Sequence, residues 1–243
     1  MISCPENSRE ILSSAARNVL GRPGSQLSDK EVLALLLDPV KNRKLADVYD
    51  IGMMEPLTNC LRQISLTFAT KLSHTADSQR QRHRRTPGAT PGIGAIYGGS
   101  ADYMVPMIIR ENGRLKEGYD QIMGTIYENV NKALKAGMPK EWALLLLPNA
   151  QTIRLIETGD FFDWQHRWKQ RLCYRAQEEI FFISVEQVEQ VLEFLPEARF
   201  LLLAPCGLRQ RVGIKPFCPE GKEACGQKVY GFPIEDYKAG RLI

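Results

Sequence analysis

The chain has 243 residues, 44% of them hydrophobic, which is enough to form a buried core in one large domain or two small ones. Its 32 Lys and Arg against 28 Asp and Glu leave a net charge of only +4, so a protein that coats a polyanion is not expected and anion binding must be local. No apolar run approaches the roughly 20 residues that span a bilayer, and the N-terminus has no signal-peptide pattern, so we expect a cytoplasmic protein.

The first elements are predicted from local signals. Apolar residues at helical spacing in NSREILSSAARNVLG predict a helix that ends at Gly21, and Ser28 with Glu31 forms a capping box for a second helix ending before Pro39. The segment QISLTFATKLS instead alternates, which predicts a strand with one face in the core. The inward positions are Ile64, Leu66, Phe68, Thr70 and Leu72.

A basic segment, QRQRHRRTPGATPG at positions 79–92, follows this strand. Arginine presents a planar fork of donors suited to phosphate, and histidine can donate to or stack beside a flat ring, so a phosphate-bearing aromatic ligand fits this chemistry. The alternative is a solvated arginine face that pairs with Asp77 and a glutamate elsewhere. The segment also resembles a basic nucleic-acid-binding arm, but the near-neutral total charge makes nucleic acid an unlikely partner.

The second half is predicted to be mainly helical. A helix is expected to end at Gly137, with Tyr119, Ile122, Met123, Ile126, Val130 and Leu134 on its apolar face. A short apolar helix, PKEWALLLLP, is assigned to the core. A long helix is predicted from Asp160 to about Ile180, and its cationic side carries Arg167, Arg171 and Arg175. If this row faces the basic segment across a cleft, the two would hold a dinucleotide or two phosphates.

The last predicted elements are a helix capped by Ser184 with Gln187 and closed by Pro196, and a buried strand at RFLLLAP. We therefore predict one helix-dominated α+β domain over residues 1–200 and a loop-rich tail over 201–243. Long irregular passages in compact domains are usually functional, which again points to the basic segment.

The tail holds a cluster of cysteines. Cys206, Cys218 and Cys225 lie among glycines and prolines, and they are predicted to form a zinc site closed by a fourth ligand such as Cys173 or a histidine. The alternative is a set of unrelated buried thiols, because no CxxC spacing is present.

The order of these motifs resembles the flavin-dependent thymidylate synthases, the ThyX family. A strand leads through a short helix to RHR, and GMPKEWALLLLP and AQEEI follow, so that the resemblance covers roughly residues 10–195. It implies a helix-rich α+β fold with a small, mostly antiparallel sheet. It also implies a homotetramer whose sites form between chains, and FAD-dependent methylation of dUMP, or a related uracil nucleotide, at C5 with methylenetetrahydrofolate and NADPH.

The resemblance implies roles for individual residues. Arg82, His83 and Arg84 form the RHR motif and would contact FAD, while Gln79 and Arg171 would contact the nucleotide. No residue is assigned as a catalytic nucleophile; in this scheme FAD passes hydride to a nucleotide ring that is activated by binding.

The chain departs from the family pattern at several nucleotide-binding positions. Thr90, Gly92 and Gly94 stand where the family has an acidic residue, a serine and an arginine. Leu144 replaces another arginine, and Arg62 with Gln63 replaces a glutamate-histidine pair. Each lost charge-assisted contact removes about 1.5–3 kcal/mol.

Three hypotheses remain at this stage. The first is a flavin enzyme acting on a uracil nucleotide, with Arg154, Arg167 or Arg171 supplying the lost contacts to phosphate. The second is a protein of the same fold that has lost its chemistry and serves as a binding or structural subunit. The third is a zinc-stabilised nucleic-acid-binding module.

Overall fold

The computed structural model of the chain describes residues 1–47 and 51–241. The helices are α1 (Ser8–Leu20), α2 (Asp29–Leu37), α3 (Pro56–Asn59), α4 (His74–Arg80), α5 (Met107–Arg110), α6 (Gly113–Lys135), α7 (Lys140–Ala143), α8 (Phe161–Arg171), α9 (Glu178–Phe194), α10 (Pro205–Arg211) and α11 (Tyr237–Gly240). The strands are β1 (Ser65–Ser73), β2 (Gly88–Ala89) and β3 (Thr152–Asp160).

Short 3₁₀ turns connect several of these elements. They lie at Arg43–Ala46, Ile51–Met54, Cys60–Gln63, Ile93–Ala95, Leu144–Leu146, Pro196–Phe200, Gly221–Glu223, Val229–Gly231 and Ile234–Asp236. None of the helices within the described ranges has the length and apolar character required to cross a bilayer.

The described chain divides into two compact units. Within the described ranges, unit 1 comprises Met1–Phe68, His83–Pro87 and the chain from Thr158 to Arg241. Its core is built from α1, α2, α8 and α9 and includes Trp164, Trp168 and Phe181, all without solvent exposure. Phe68 packs edge-on against Trp164, with ring centroids 4.8 Å apart. The aromatic core thereby fixes the buried side of α8, the helix that carries Arg167 and Arg171.

Unit 2 comprises Ala69–Arg82 and Gly88–Glu157. A smaller core forms along α6 from Tyr97, Met123, Tyr127, Val130 and Leu144. The three strands form an antiparallel sheet in the order β1-β3-β2. Within this unit, Gly88 pairs with Glu157 and Ala89 with Ile156. The helix-rich α+β architecture with a small antiparallel sheet is the fold class predicted from the sequence.

Several predicted elements are confirmed, including the residues that end α1 and begin α2. The α1 helix stops at Gly21, whose φ of 64° is left-handed and whose N–H bonds to the carbonyls of Arg17 and Asn18. Both halves of the Ser28–Glu31 capping box are formed. All five predicted inward positions are buried, Ile64 directly before β1 and the other four within it, because alternate side chains of a strand point to the same face.

The long helix predicted from Asp160 is two helices. The α8 helix ends at Arg171 and α9 begins at Glu178, where the Gln177 side chain accepts a hydrogen bond from the Ile180 N–H. Ser184 lies inside α9 instead of capping it, and its buried hydroxyl donates to the Ile180 carbonyl at 2.7 Å. The prediction was wrong because apolar spacing continues through the break and hides it.

Two apolar segments also differ from their predictions. RFLLLAP is not a strand: it contains the end of the turn Pro196–Phe200 and leads into α10, although Leu201 and Leu202 are buried. A short buried apolar run looks the same in sequence whether it is a strand or a turn. In PKEWALLLLP only one side is buried, since Trp142 and Leu145 are 68% and 77% exposed.

Candidate functional site

The candidate site is built on the N-terminus of α8. The Asp160 side chain caps this helix by accepting from the Asp163 N–H at 2.8 Å. Arg62 holds Asp160 in place, because its Nη1 lies 2.6 Å from Asp160 Oδ2, and its guanidinium lies 4.6 Å from the Phe162 ring centroid. Arg62, which stands where the family has part of a glutamate-histidine pair, therefore positions α8.

Thr86 is packed where β3 meets α8. A Cβ placed on Gly159 would lie 2.8 Å from Thr86 Cγ2, so only glycine allows this approach. Thr86 Oγ1 in turn accepts from Arg167 Nη1 at 3.4 Å. Arg167 has no solvent exposure, and its guanidinium lies 5.0 Å from the Trp164 ring centroid. A positive charge is thus held inside unit 1, on the helix that carries Arg171.

His83 lies close to Arg167 and Arg171. Its ring packs edge-on against His166, with ring centroids 5.7 Å apart. Burial, together with the neighbouring Arg171, Arg167, His166 and Arg85, lowers the pKa of His83 to about 3. The imidazole is therefore neutral at physiological pH, with one nitrogen as donor and the other as acceptor.

The Nε2 atom of His83 is available to form a hydrogen bond with a ligand. Within the described residues, His83 Nε2 is buried and has no hydrogen-bond partner, which is uncommon for a buried polar atom in a folded protein. Arg171, Arg167 and Arg85 add positive charge around it and contribute to the lowered pKa of His83, after burial. Phosphate oxygens or the polar edge of a flat ring would satisfy both this charge and the nitrogen, so these residues fit the phosphates or ring of a bound flavin or nucleotide.

The structure brings some of the predicted site residues together. His83 and Arg171 belong to unit 1 and are close enough for the charge of Arg171 to affect the His83 pKa. Arg84 is in the same unit and is exposed. Gln79, half-buried in α4, and the exposed Arg82 belong to unit 2. Of the predicted site residues, His83 and Arg171 are thus brought together within unit 1.

The cationic row on the predicted long helix is shorter than expected. Arg175 lies beyond the end of α8, is exposed, and pairs at 3.1 Å with Glu223. Arg154 is also exposed and pairs with Asp102 at 2.8 Å. Only Arg167 and Arg171 of the row lie on α8.

Arg80, the first arginine of the basic segment, has a structural role. Its Nε donates to Asp77 Oδ1 at 2.5 Å and its Nη1 to Glu157 Oε1 at 2.9 Å. All three residues are buried in unit 2, where paired charges offset each other's desolvation. The predicted alternative, an arginine paired with Asp77 and a distant glutamate, therefore describes Arg80, although the pair is buried and not solvated.

The departures from the family pattern have distinct local structures. Leu144 is 2% exposed and belongs to the core of unit 2, so this position contributes packing and not a charge. Thr90 Oγ1 accepts from Arg80 Nη2 at 3.3 Å. A Cβ added to Gly92 or to Gly94 would meet no atom within 4 Å, so the backbone there leaves room for a side chain.

Sequence reasoning missed Arg85 and Thr86, which adjoin the RHR motif. Arg85 lies 3.8 Å from Asp163 and helps to lower the pKa of His83. Burial and the neighbouring Asp160 raise the pKa of Asp163, against the opposing effects of Arg62 and Arg85. The run of arginines was a signal for Arg85, but no local pattern distinguishes Thr86 from a loop residue.

Comparison with known proteins finds related sequences over most of the chain. The family model described as thymidylate synthase complementing protein matches residues 1–197. A flavin-dependent thymidylate synthase of Nitratidesulfovibrio vulgaris is 27% identical over 194 residues, 75% of each chain. One of Thermococcus onnurineus is 26% identical over 170 residues, 67% of each chain. One of Saccharolobus solfataricus is 24% identical over 197 residues, 81% of this chain and 73% of its own.

Proposed function

We propose, because this chain belongs to the thymidylate synthase complementing protein family, that it is a flavin-dependent enzyme acting on a uracil nucleotide. The proposed reaction is methylation of dUMP, or a related nucleotide, at C5 with methylenetetrahydrofolate as the carbon donor and NADPH as the reductant. The relatives named above are flavin-dependent thymidylate synthases, which supports the flavin and the reaction class. These metabolites are consistent with a cytoplasmic location.

This proposal rests on one observation, which is the neutral His83 side chain with several arginines near it. Its buried Nε2 lacks a partner among the described residues, and Arg85, Arg167 and Arg171 supply positive charge around it. Such a cluster can bind the phosphates of an anionic ligand while the imidazole contacts a ring. Holding these arginines close together without a bound anion costs free energy, because their positive charges repel one another.

The residues of the chain would bind and orient the ligands. Arg82, His83 and Arg84 would bind FAD, and Gln79 and Arg171 would bind the nucleotide. Bound flavin supplies the hydride needed to convert a transferred one-carbon unit into a methyl group. A neutral His83 donates or accepts one hydrogen bond without adding charge, while Arg171 offers two donors to a phosphate.

The proposal is tested by the visible absorption spectrum of the full chain after incubation with excess FAD and gel filtration. We expect a retained flavin band that shifts when dUMP is added. Arg171→Ala should weaken nucleotide binding by about ten- to a hundredfold, the equivalent of one charge-assisted contact. Arg175→Ala is the matched control, because Arg175 is exposed and pairs with Glu223. Colourless protein that never retains FAD would contradict the proposal.

The replaced serine position offers a second test. Gly92 has open space where a side chain would begin, so Gly92→Ser should fold normally and restore a hydroxyl at the family's serine position. We expect dUMP to bind several-fold more tightly to this variant, since one added hydrogen bond contributes about 0.5–1.5 kcal/mol. Gly124→Ser in α6 is a control that is equally open. Unchanged dUMP affinity in Gly92→Ser would indicate that the nucleotide lies elsewhere.

A catalytically inactive protein of the same fold is the second candidate. The burial of Leu144 in the core of unit 2 favours it, because an arginine at that position cannot be restored without disrupting packing. This candidate predicts that ligand binds without product formation. Chromatographic detection of thymidylate with all co-substrates present separates the two candidates, and product above the no-enzyme control eliminates the second.

We also propose that the chain forms a homo-oligomer, a tetramer by its resemblance to the family. Unit 2 carries many exposed large apolar side chains, which are Ile108, Leu115, Ile122, Met138, Trp142, Leu145, Leu146 and Ile156. So much exposed apolar surface on a small unit favours burial against another copy.

A further inference from the structure

Four of the six cysteines line one small cavity in unit 1. Cys173 follows α8, Cys206 lies in α10, and Cys218 and Cys225 lie in the irregular segment after α10. The cavity has a volume of about 20 Å³, close to the space that one or two water molecules occupy. The other two cysteines are elsewhere: Cys4 Sγ lies 3.7 Å from Ser8 Oγ, and Cys60 Sγ donates to the Pro56 carbonyl at 3.6 Å.

Neighbouring cysteines contribute to raised pKa values of the Cys206 and Cys173 thiols. All four are free cysteines. Burial, together with the adjacent Cys173, Cys218 and Cys225, raises the pKa of Cys206 to about 12. Burial also raises the pKa of Cys173, and Cys225 and Cys218 contribute to the increase. As thiolates, these four side chains would repel one another in an apolar cavity. A metal cation bound among them would instead attract the thiolates and favour the deprotonated form.

We propose that Cys173, Cys206, Cys218 and Cys225 bind a metal centre through four thiolates, as a zinc ion or an iron–sulfur cluster. Soft thiolate ligands select these centres over magnesium or calcium. Each thiol releases its proton as its sulfur binds the metal, so binding becomes tighter as pH rises. The four cysteines come from three separate segments of the chain, which contain Cys173, Cys206, and Cys218 with Cys225.

Zinc and an iron–sulfur cluster require different distances between the four sulfurs. Among the residues described, no group of three or more His, Cys, Asp or Glu side chains is arranged to hold a metal ion as it stands. Zinc requires four sulfurs at about 2.3 Å from one point, so the cysteines must converge when it binds. An iron–sulfur cluster keeps its thiolates farther apart, because iron and sulfide atoms lie between them.

The metal centre would attach the C-terminal segment to the site helix. The family match ends at residue 197, so three of the four ligands lie beyond it. Cys173 lies two residues after Arg171, the last residue of α8. A centre that joins Cys173 to Cys206, Cys218 and Cys225 therefore stabilises unit 1 around α8. This role does not depend on the proposed flavin chemistry.

The first experiment measures the metal content of the full chain, purified without oxygen from cells supplied with zinc and iron. We expect about one zinc ion per chain, or iron with an equal amount of acid-labile sulfide, and elemental analysis distinguishes the two. Protein purified without metal is then incubated separately with Zn²⁺ alone and with iron plus sulfide under reducing conditions. A chain that takes up neither overturns the proposal.

The second experiment identifies the ligands. In Cys218→Ser, metal content should fall by about tenfold or more, while Cys4→Ser, a matched control outside the cavity, should keep the wild-type content. In case Cys218→Ser fails to fold, alkylation of wild-type thiols is mapped by mass spectrometry with and without a chelator. Protection confined to Cys173, Cys206, Cys218 and Cys225, and lost on chelation, supports the site. Equal alkylation of these four cysteines in both conditions refutes it.

Discussion

His83 shows how the surroundings of a residue determine its charge state. The RHR motif places it in a basic segment, but its neutral state comes from burial and from the charges of Arg171, Arg167 and Arg85. A solvent-exposed histidine with the same neighbours in sequence would titrate near its ordinary pKa. The consequence can be measured in the stability of the protein, because protonation and folding are linked.

We predict an acid-sensitive contribution of His83 to folding. Its folded pKa of about 3 lies below the unfolded value near 6.5, so the unfolded chain binds a proton that the folded chain excludes. The contribution is complete above about pH 6.5 and is lost as pH falls towards 3. Between about pH 7 and pH 5, urea unfolding should show a loss from this residue of about 1–2 kcal/mol.

The variants for this test are matched. His83→Gln should show a smaller loss of stability over the same pH interval than wild type. His74→Gln changes an exposed histidine in unit 2 and should keep the wild-type loss. If His83→Gln and wild type lose the same stability between these pH values, His83 is not held neutral by its surroundings.

Arg80 is expected to matter for stability. Replacing it by methionine leaves the buried carboxylates of Asp77 and Glu157 without its charge, so the free energy of unfolding should fall by about 3–5 kcal/mol. The control is Lys116→Met, because Lys116 pairs with Asp120 on the exposed face of α6 and should contribute less than about 0.5 kcal/mol. Urea denaturation measures the free energy of unfolding of both variants. Equal losses in the two variants would refute the structural role of Arg80.

At the scale of elements, the junction of β3 and α8 determines the geometry of the site. Asp160 caps the helix, Gly159 leaves space for Thr86, and Thr86 contacts Arg167. The capping signal could be predicted from the sequence, since it depends on residues within one turn. The requirement for glycine could not, because the atom that demands it belongs to Thr86, more than seventy residues earlier.

Gly159→Ala is predicted to damage both stability and binding. The new methyl group would lie 2.8 Å from Thr86 Cγ2 and 3.3 Å from Trp164 Nε1, which forces a shift that costs about 1–3 kcal/mol. Because Thr86 contacts Arg167, FAD affinity should fall as well. Gly124→Ala in α6 has open space and should stabilise the protein by up to about 1 kcal/mol. Wild-type FAD affinity in Gly159→Ala would show that Thr86 does not support the site.

For the whole molecule, the exposed apolar residues of unit 2 predict self-association. Sedimentation should give a mass that is a multiple of the 27.5 kDa chain. Leu145→Lys introduces a charge at a residue that is 77% exposed and should shift the protein to smaller species without unfolding it. Val40→Lys, at an exposed apolar residue of unit 1, should leave the mass unchanged. A wild-type monomer at micromolar concentration would contradict the proposed oligomer.

Features that depend on neighbouring residues could be predicted from the sequence alone. These are the alternation of β1, the caps of α1 and α2, and the order of motifs that indicates the family. The sequence did not reveal the break between α8 and α9, because apolar periodicity continues through it.

Only the tertiary structure separated the roles of similar side chains. Arg80 is paired with Glu157 while His83 is surrounded by cations from α8, and four cysteines from three segments line one cavity. Charge state and pairing depend on burial and on residues distant in sequence. Those neighbours are brought together only when the chain folds.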